Sequence, residues 1–286
     1  MRKSVLPIVI SVFVLSLFLG LSTTAIAAVV GKPVILKGDD ALKDPDARGI
    51  ATKLEQDRPD APWISKWYMP TATYINSGGF AASGPIDHIK AASGGDLTQE
   101  SLSTFDGLLK TKTTKLDWGA DNGGAADWTV LEIDPKNGDN MSVAYGLFKE
   151  GADYKNFDTW ALLVIESPKD HVAVMSPAHD DFAQIWVNGE KYWNDSKWTG
   201  GATKVNYDVP VNFKQGTNVL LYRCGESGGS DYFNLHLDDA TNKAVTIFPK
   251  ASTDKAGFFK EIPGGATAVD AKEKLPSVWG AIKATK

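Results

Sequence analysis

The feature that most restricts what this chain can fold into is Asn188-Gly189, with the apolar runs 182–187 and 190–193 on either side. A two-residue Asn-Gly loop closes a β-hairpin, because both residues tolerate the left-handed backbone of a type I′ turn. Closure at that point predicts the register. Val187 faces Glu190, Trp186 faces Lys191, Ile185 faces Tyr192 and Gln184 faces Trp193. Side chains alternate across a strand. Ile185, Val187 and Tyr192 are therefore expected on one face, as core. Gln184, Trp186, Lys191 and Trp193 are expected on the other.

The rest of 63–248 repeats the theme of short apolar segments between turn residues. Segment 130–133 stops at Asp134-Pro135-Lys136-Asn137-Gly138, and 141–148 alternates Met141, Val143, Tyr145 and Leu147 with small residues. Segments 172–175, 209–213, 218–224 and 232–237 continue the series. Segment 160–165 is apolar on both faces, which suits a central strand covered from both sides. One helix is predicted, with Asp96 as cap, Gln99 three residues on, and Leu102, Phe105 and Leu109 at helical spacing. A parallel α/β fold would need helices between its strands. The fold class is therefore all-β, an antiparallel β-sandwich or barrel with one short helix and an irregular leader and tail.

The ends of the chain carry different signals. Arg2 and Lys3 precede an apolar run over 5–21, and Ala25-Ile26-Ala27 supplies a small-x-small cleavage signal. That is the layout of a secretory signal peptide. The apolar core is shorter than the roughly 20 residues of a spanning helix. Export to the periplasm, cell surface or medium is expected, with no membrane span after cleavage. The chain divides into a signal peptide 1–27, a charged leader 28–62, a sandwich 63–248 and a tail 249–286. In the leader, 51–56 suggests a short helix stopped by Pro59 and Pro62. In the tail, Leu275, Val278, Trp279 and Ile282 recur at near-helical spacing. A net charge of −5 without a basic cluster excludes nucleic acid and anionic membrane as natural partners. Cys224 is the sole cysteine, so the fold rests on its core or on a bound ion, and not on an internal disulfide.

Candidate functional residues follow from the faces. Two indoles beside an amide and an ammonium suit a sugar platform, with Trp186, Trp193 and Lys191 as contacts. Indoles packed under a loop satisfy the same composition. On the closing strand Phe233, Leu235 and Leu237 face the core, while Tyr232, Asn234 and His236 face away. Arg223 is polar in an apolar run. The loop Gly225-Glu226-Ser227-Gly228-Gly229-Ser230-Asp231 lies between these strands. Binding residues concentrate on loops at sandwich ends. Arg223, Glu226, Asp231, Tyr232 and Asn234 therefore join the candidate carbohydrate contacts, with an ordinary solvated hairpin loop as the alternative. No catalytic residue is expected. Residues 225–229 match G-x-S-x-G by letter, but that elbow needs strand, turn and helix, and a strand follows here. No two of His88, His171, His179 and His236 have helical metal-ligand spacing.

Ser176-Pro177-Ala178-His179-Asp180-Asp181, the Gln184–Glu190 hairpin, Gly216-Thr217-Asn218-Val219-Leu220-Leu221 and Tyr232-Phe233-Asn234-Leu235 form one pattern. It resembles the galactose-binding-like jelly roll, in the branch found as accessory domains of bacterial glycoside hydrolases and close to PA14-type domains. The resemblance spans roughly 63–248 and is strongest over 160–237. It implies a jelly roll that binds glycan without catalysis, often with calcium. Adjacent aspartates hold calcium in sugar-binding PA14-type domains, so it implies Asp180 and Asp181 as ligands, with Asn188 and Asp195 as additions. Calcium takes six to eight oxygens. Phe182 departs from the pattern, where a small residue usually follows the pair. An aspartate capping a nearby turn is the structural alternative. The expected function is a secreted, non-catalytic carbohydrate-binding module. A structural or adhesive subunit that docks another cell-surface protein is the second reading, and a glycoside hydrolase or lyase the third.

Overall fold

The structure, a computed structural model, describes residues 31–38, 42–149 and 154–266. The signal segment and the apolar positions of 275–282 lie outside them. The strands are β1 (Thr52–Asp57), β2 (Lys66–Pro70), β3 (Tyr74–Ile75), β4 (Leu116–Asp117), β5 (Ala125–Ala126), β6 (Trp128–Glu132) and β7 (Phe157–Ser167). They continue with β8 (His171–His179), β9 (Phe182–Val187), β10 (Glu190–Asp195), β11 (Lys204–Phe213), β12 (Gly216–Glu226), β13 (Phe233–Leu237) and β14 (Thr246–Phe248). Among the described residues, seven short α-helices accompany them: α1 (Gly79–Ser83), α2 (His88–Ala92), α3 (Gln99–Leu102), α4 (Phe105–Lys110), α5 (Asn140–Ala144), α6 (Asp239–Ala244) and α7 (Lys255–Glu261).

The smaller sheet runs β1-β11-β8-β13, and the larger runs β10-β9-β12-β7-β2-β6, with β3 and β14 also on β7. The pairing in both is antiparallel. At the centre of the larger sheet, β12 and β7 pair without a break from Gly216↔Ser167 to Glu226↔Phe157. Alternate residues of these strands feed two cores. Ala161, Leu163, Ile165, Leu220, Tyr222 and Cys224 face the smaller sheet. Trp160, Leu162, Val164, Val219 and Leu221 face the opposite way, onto a helical layer. This is why 160–165 is apolar on both faces. The expected antiparallel β-sandwich is present, with helices packed on the outside of one sheet.

That helical layer exceeds the single helix expected. Thr98, not Asp96, caps α3, in a capping box with Ser101. The helix stops at Ser103, and Thr104 caps α4 anew. Gly107 allows the two to meet, since a Cβ there would lie 1.9 Å from the Ser101 carbonyl oxygen. Leu102 and Leu108 are buried beneath them. The tail adds α7, whose Phe258 stacks on Tyr68 at 4.3 Å. Segment 141–148 is helix and turn, not strand. The Asp231 carboxylate accepts from Ser142 N at 2.7 Å and fixes that turn. Segment 51–56 is strand, not helix: β11 offers an open edge, and Thr52 and Lys53 pair with Asp208 and Tyr207 on it. Pairing across the sheet outweighs the weak local preference of TKLEQD.

Candidate functional site

The hairpin turn forms as predicted, with positive φ at both Asn188 (53°) and Gly189 (86°). The register then departs from the expected one. Glu190↔Val187 and Lys191↔Trp186 hold, but a bulge follows, and Trp193 lies opposite Ile185. One extra residue turns a side chain to the other face. Tyr192 and Trp193 both enter the core between the sheets, and Trp193 is 1% exposed beside Tyr207. The two-indole platform is therefore corrected. Trp186 keeps its face, but the helical layer covers that face and leaves the ring 4% exposed. The Lys191 ammonium sits 4.9 Å from its centre. Trp186 and Lys191 line a cavity of about 600 Å³ between residues 35–38 of the leader, the hairpin, and Pro85, Asp87, Gln99 and Glu100.

Arg223 is not a ligand-facing residue either. It is fully buried against Asp158, with Nη2 at 2.5 Å and Nε at 3.1 Å from Oδ2. Its remaining protons go to Ser83, Gly84, Ile86 and Gln184. Trp160 and Phe182 flank the guanidinium at 5.3 Å each. The side chain thus holds the 83–86 segment of the helical layer onto the larger sheet. His88 completes this cluster, with Nε2 3.0 Å from Ser83 Oγ and its ring stacked on Tyr74.

Tyr232, Asn234 and Asp231 are buried as well, and each pins a loop. The Tyr232 hydroxyl accepts from Gly201 N at 2.8 Å. Asn234 donates to Pro135 O and Ala202 O and accepts from Asn140. Asp231 holds the α5 turn, and burial raises its carboxyl to about 6. These three corrections share one cause. The 134–142 and 199–202 loops cover residues 231–234, so these polar side chains satisfy backbone groups there instead of meeting solvent.

Glu226 has a different environment. Asp180, Asp181 and Glu226 each offer an oxygen within 4.8 Å of the other two. Sheet pairing brings them together: Gly225 lies opposite Phe182, and Asp181 N donates to Gly225 O at 2.9 Å. Gly225 is required there, since a Cβ would lie 2.3 Å from the Phe182 ring. Phe182, the departure from the family pattern, packs on Phe80 at 5.5 Å. It thus fills space beside the acidic pair. Asp181 Oδ2 accepts from Ser227 N, and Glu226 Oε1 accepts from Gly228 N. Glu226 Oε2 is buried with no hydrogen-bond partner. Burial, then the Asp181 charge, raises the Glu226 carboxyl to about 9. Burial, then Asp181, raises Asp180 to about 7. Residues 228–230 of the adjoining loop are exposed.

Three clustered carboxylates with an orphaned buried oxygen fit a hard divalent cation. All-oxygen donors suit calcium or magnesium better than zinc. Neither Asn188 nor Asp195 joins the cluster. Asn188 lies at the far end of β9 and donates to Asn218 at 2.7 Å. Asp195 lies 3.8 Å from the buried His179 Nε2. The sequence held one signal for Glu226, its place in the polar loop 225–231, although the structure makes it the last, buried residue of β12. What it did not show was that this strand neighbours the one that begins at Phe182.

No family model matches the sequence, and no curated protein matches it. A solved structure described as a family 35 carbohydrate binding module from Clostridium thermocellum is 17% identical, over 42% of this chain and 77% of that one, with a TM-score of 0.21. A superposition this slight carries no weight for fold or function.

Proposed function

We propose that this chain is an exported, non-catalytic carbohydrate-binding module that holds a divalent cation, calcium in the first instance, at Asp180, Asp181 and Glu226. The observation that carries the reading is the unpartnered, buried Glu226 Oε2 among three converging carboxylates. Burial holds the Glu226 carboxyl neutral at neutral pH when no cation is near, and a bound cation would favour the carboxylate form of the cluster, with release of a proton. The resemblance to galactose-binding-like and PA14-type domains supports the reading, since the aspartate pair stands at the matching point of that pattern. A bound calcium supplies positive charge and open coordination positions suited to vicinal hydroxyls. The chain's own part is to fix two carboxylates at the start of β9 and a third at the end of β12. Backbone N–H groups of Ser227 and Gly228 orient two of them, and Asp181 is the half-buried member of the three, next to the exposed 228–230 loop. The signal-peptide pattern at 1–27 supports export.

The test is calorimetric titration of calcium into chelator-treated protein, followed by a glycan array with and without chelator. One cation per chain is expected. Asp181→Asn and Glu226→Gln are each expected to weaken it by tenfold or more, with chelator-sensitive glycan retention. Absence of both calcium and glycan binding from folded protein refutes the reading. Concentration-dependent assembly in that case would favour the adhesive or structural alternative.

A further inference from the structure

The carboxylate cluster is braced by a segment that supplies none of its three carboxylates. Residues 76–80 run past the end of β12, and hydrogen bonds join the two. Ser227 Oγ accepts from Phe80 N at 3.2 Å. Asn76 Nδ2 donates to Asp158 Oδ1 at 2.8 Å and makes a longer contact of 3.4 Å with Glu226 O. Asn76 Oδ1 accepts from Gly79 N at 3.0 Å. Both Asn76 and Gly79 are buried. The approach is close: with φ at 70°, a Cβ on Gly79 would lie 2.9 Å from Ser227 Oγ. Phe80 also stacks on Phe182, the residue after Asp181.

Ser227 is where these contacts meet. Its backbone N–H donates to Asp181 Oδ2 at 2.9 Å, while its hydroxyl takes the Phe80 amide. It also follows Glu226 directly in the chain. One residue therefore sets the Asp181 carboxylate, the course of the chain after Glu226 and the start of α1. Its side chain is only partly buried, so core packing does not account for it. The segment it fastens is continuous with the Arg223 clamp, because Asp158 accepts from Asn76 on one oxygen and from Arg223 and Ser83 on the other. Groups that orient ligand carboxylates from outside the coordination sphere tune how tightly a metal is held.

We infer that Ser227 is a positioning residue for the cation site, and that through its hydroxyl the docking of residues 76–80 and the binding of the cation favour one another. The inference rests on the reading of Asp180, Asp181 and Glu226 as a cation site, and adds to it a segment remote in sequence. Coupling of this kind is reciprocal. A cation that draws Asp181 and Glu226 together fixes Ser227 between them, and so holds the Phe80 amide. A segment unfastened at Ser227 leaves the Asp181 carboxylate freer to turn, and the cation is held less tightly.

The experiment titrates calcium into chelator-treated full chain by calorimetry, for wild type, Ser227→Ala and Ser227→Thr. Hydrogen exchange of the Gly79 and Phe80 amides is followed with and without calcium, and urea midpoints are measured in chelator. Ser227→Ala should weaken calcium about tenfold at unchanged stoichiometry, with little movement of the chelator midpoint. Ser227→Thr keeps the hydroxyl and should restore the affinity. Calcium should slow exchange of the two amides in wild type and leave it unaltered in Ser227→Ala. An unaltered calcium affinity in Ser227→Ala overturns the inference, and a fall in the urea midpoint alone would then assign the hydroxyl to fold support. Equal slowing of exchange in wild type and Ser227→Ala overturns it too, as does a Ser227→Thr variant as weak as Ser227→Ala. If wild type binds calcium and the variants bind it alike, the inference fails and the cation site stands. If folded wild type binds no calcium, both fail.

Discussion

Replacing Arg223 by methionine should unfold this protein at markedly lower denaturant, and the structure sets the size of the loss. Both Arg223 and Asp158 are 0% exposed. The thioether in place of the guanidinium would leave the Asp158 carboxylate with Asn76 and Ser83 as its remaining partners and no cation. Breaking a buried pair from one side costs about 3–5 kcal/mol. The part-buried Ile86 carbonyl also loses its guanidinium donor, while Ser83 O keeps Ile86 N; one unsatisfied acceptor adds about 1 kcal/mol. A loss of about 4–6 kcal/mol is therefore expected. At about 2–4 °C per kcal/mol for a chain of this size, the Tm falls by roughly 8–24 °C. Asp158→Asn alone should cost about 3–5 kcal/mol. The double variant should cost less than the sum by about 1–3 kcal/mol, because no uncompensated charge remains. Urea unfolding followed by tryptophan fluorescence measures all three. Strict additivity, or a loss under about 1 kcal/mol in Arg223→Met, would refute the view that this pair clamps the helical layer to the sheet.

Three further outcomes follow from the same packing. Trp193→Ala should cost about 3–5 kcal/mol by denaturant titration, as for a core indole; unchanged stability would return the ring to the surface. Gly225→Ala should destabilise by about 1–3 kcal/mol, because its Cβ meets the Phe182 ring; combining it with Phe182→Leu should recover part of the loss, and no recovery would contradict the contact. His236 is held neutral first by burial and then by Arg58, against the opposing pull of the Leu237 carbonyl, Asp208 and Asp239. Its folded pKa is depressed below about 6.5, so the folded state binds fewer protons there than the unfolded chain. Stability present above that pH is lost as pH falls through it. His236→Gln should flatten that slope between about pH 7 and 5, and an identical slope in the variant would exclude His236 as its source.

Legible in the sequence were the strands around 130–133 and between 160 and 237, the type I′ turn at Asn188-Gly189, the two-sided burial of 160–165 and the inward set Phe233, Leu235 and Leu237. Each depends on periodicity and turn chemistry, which act over a few residues. The tertiary structure decided which faces meet water. Alternation states that Trp186 lies opposite to Ile185. It does not state that α3 and α4 will cover that side, nor that one bulged residue sends Trp193 inward. Segment 51–56 shows the same limit, since its strand exists only because β11 leaves an edge open. The carboxylate cluster is the sharpest case. Asp180-Asp181 was visible as a pair. Glu226, some 45 positions on, joins it only because β9 and β12 are neighbours and run antiparallel. Such convergence depends on which strands pair, and that is settled by the packing of the whole core.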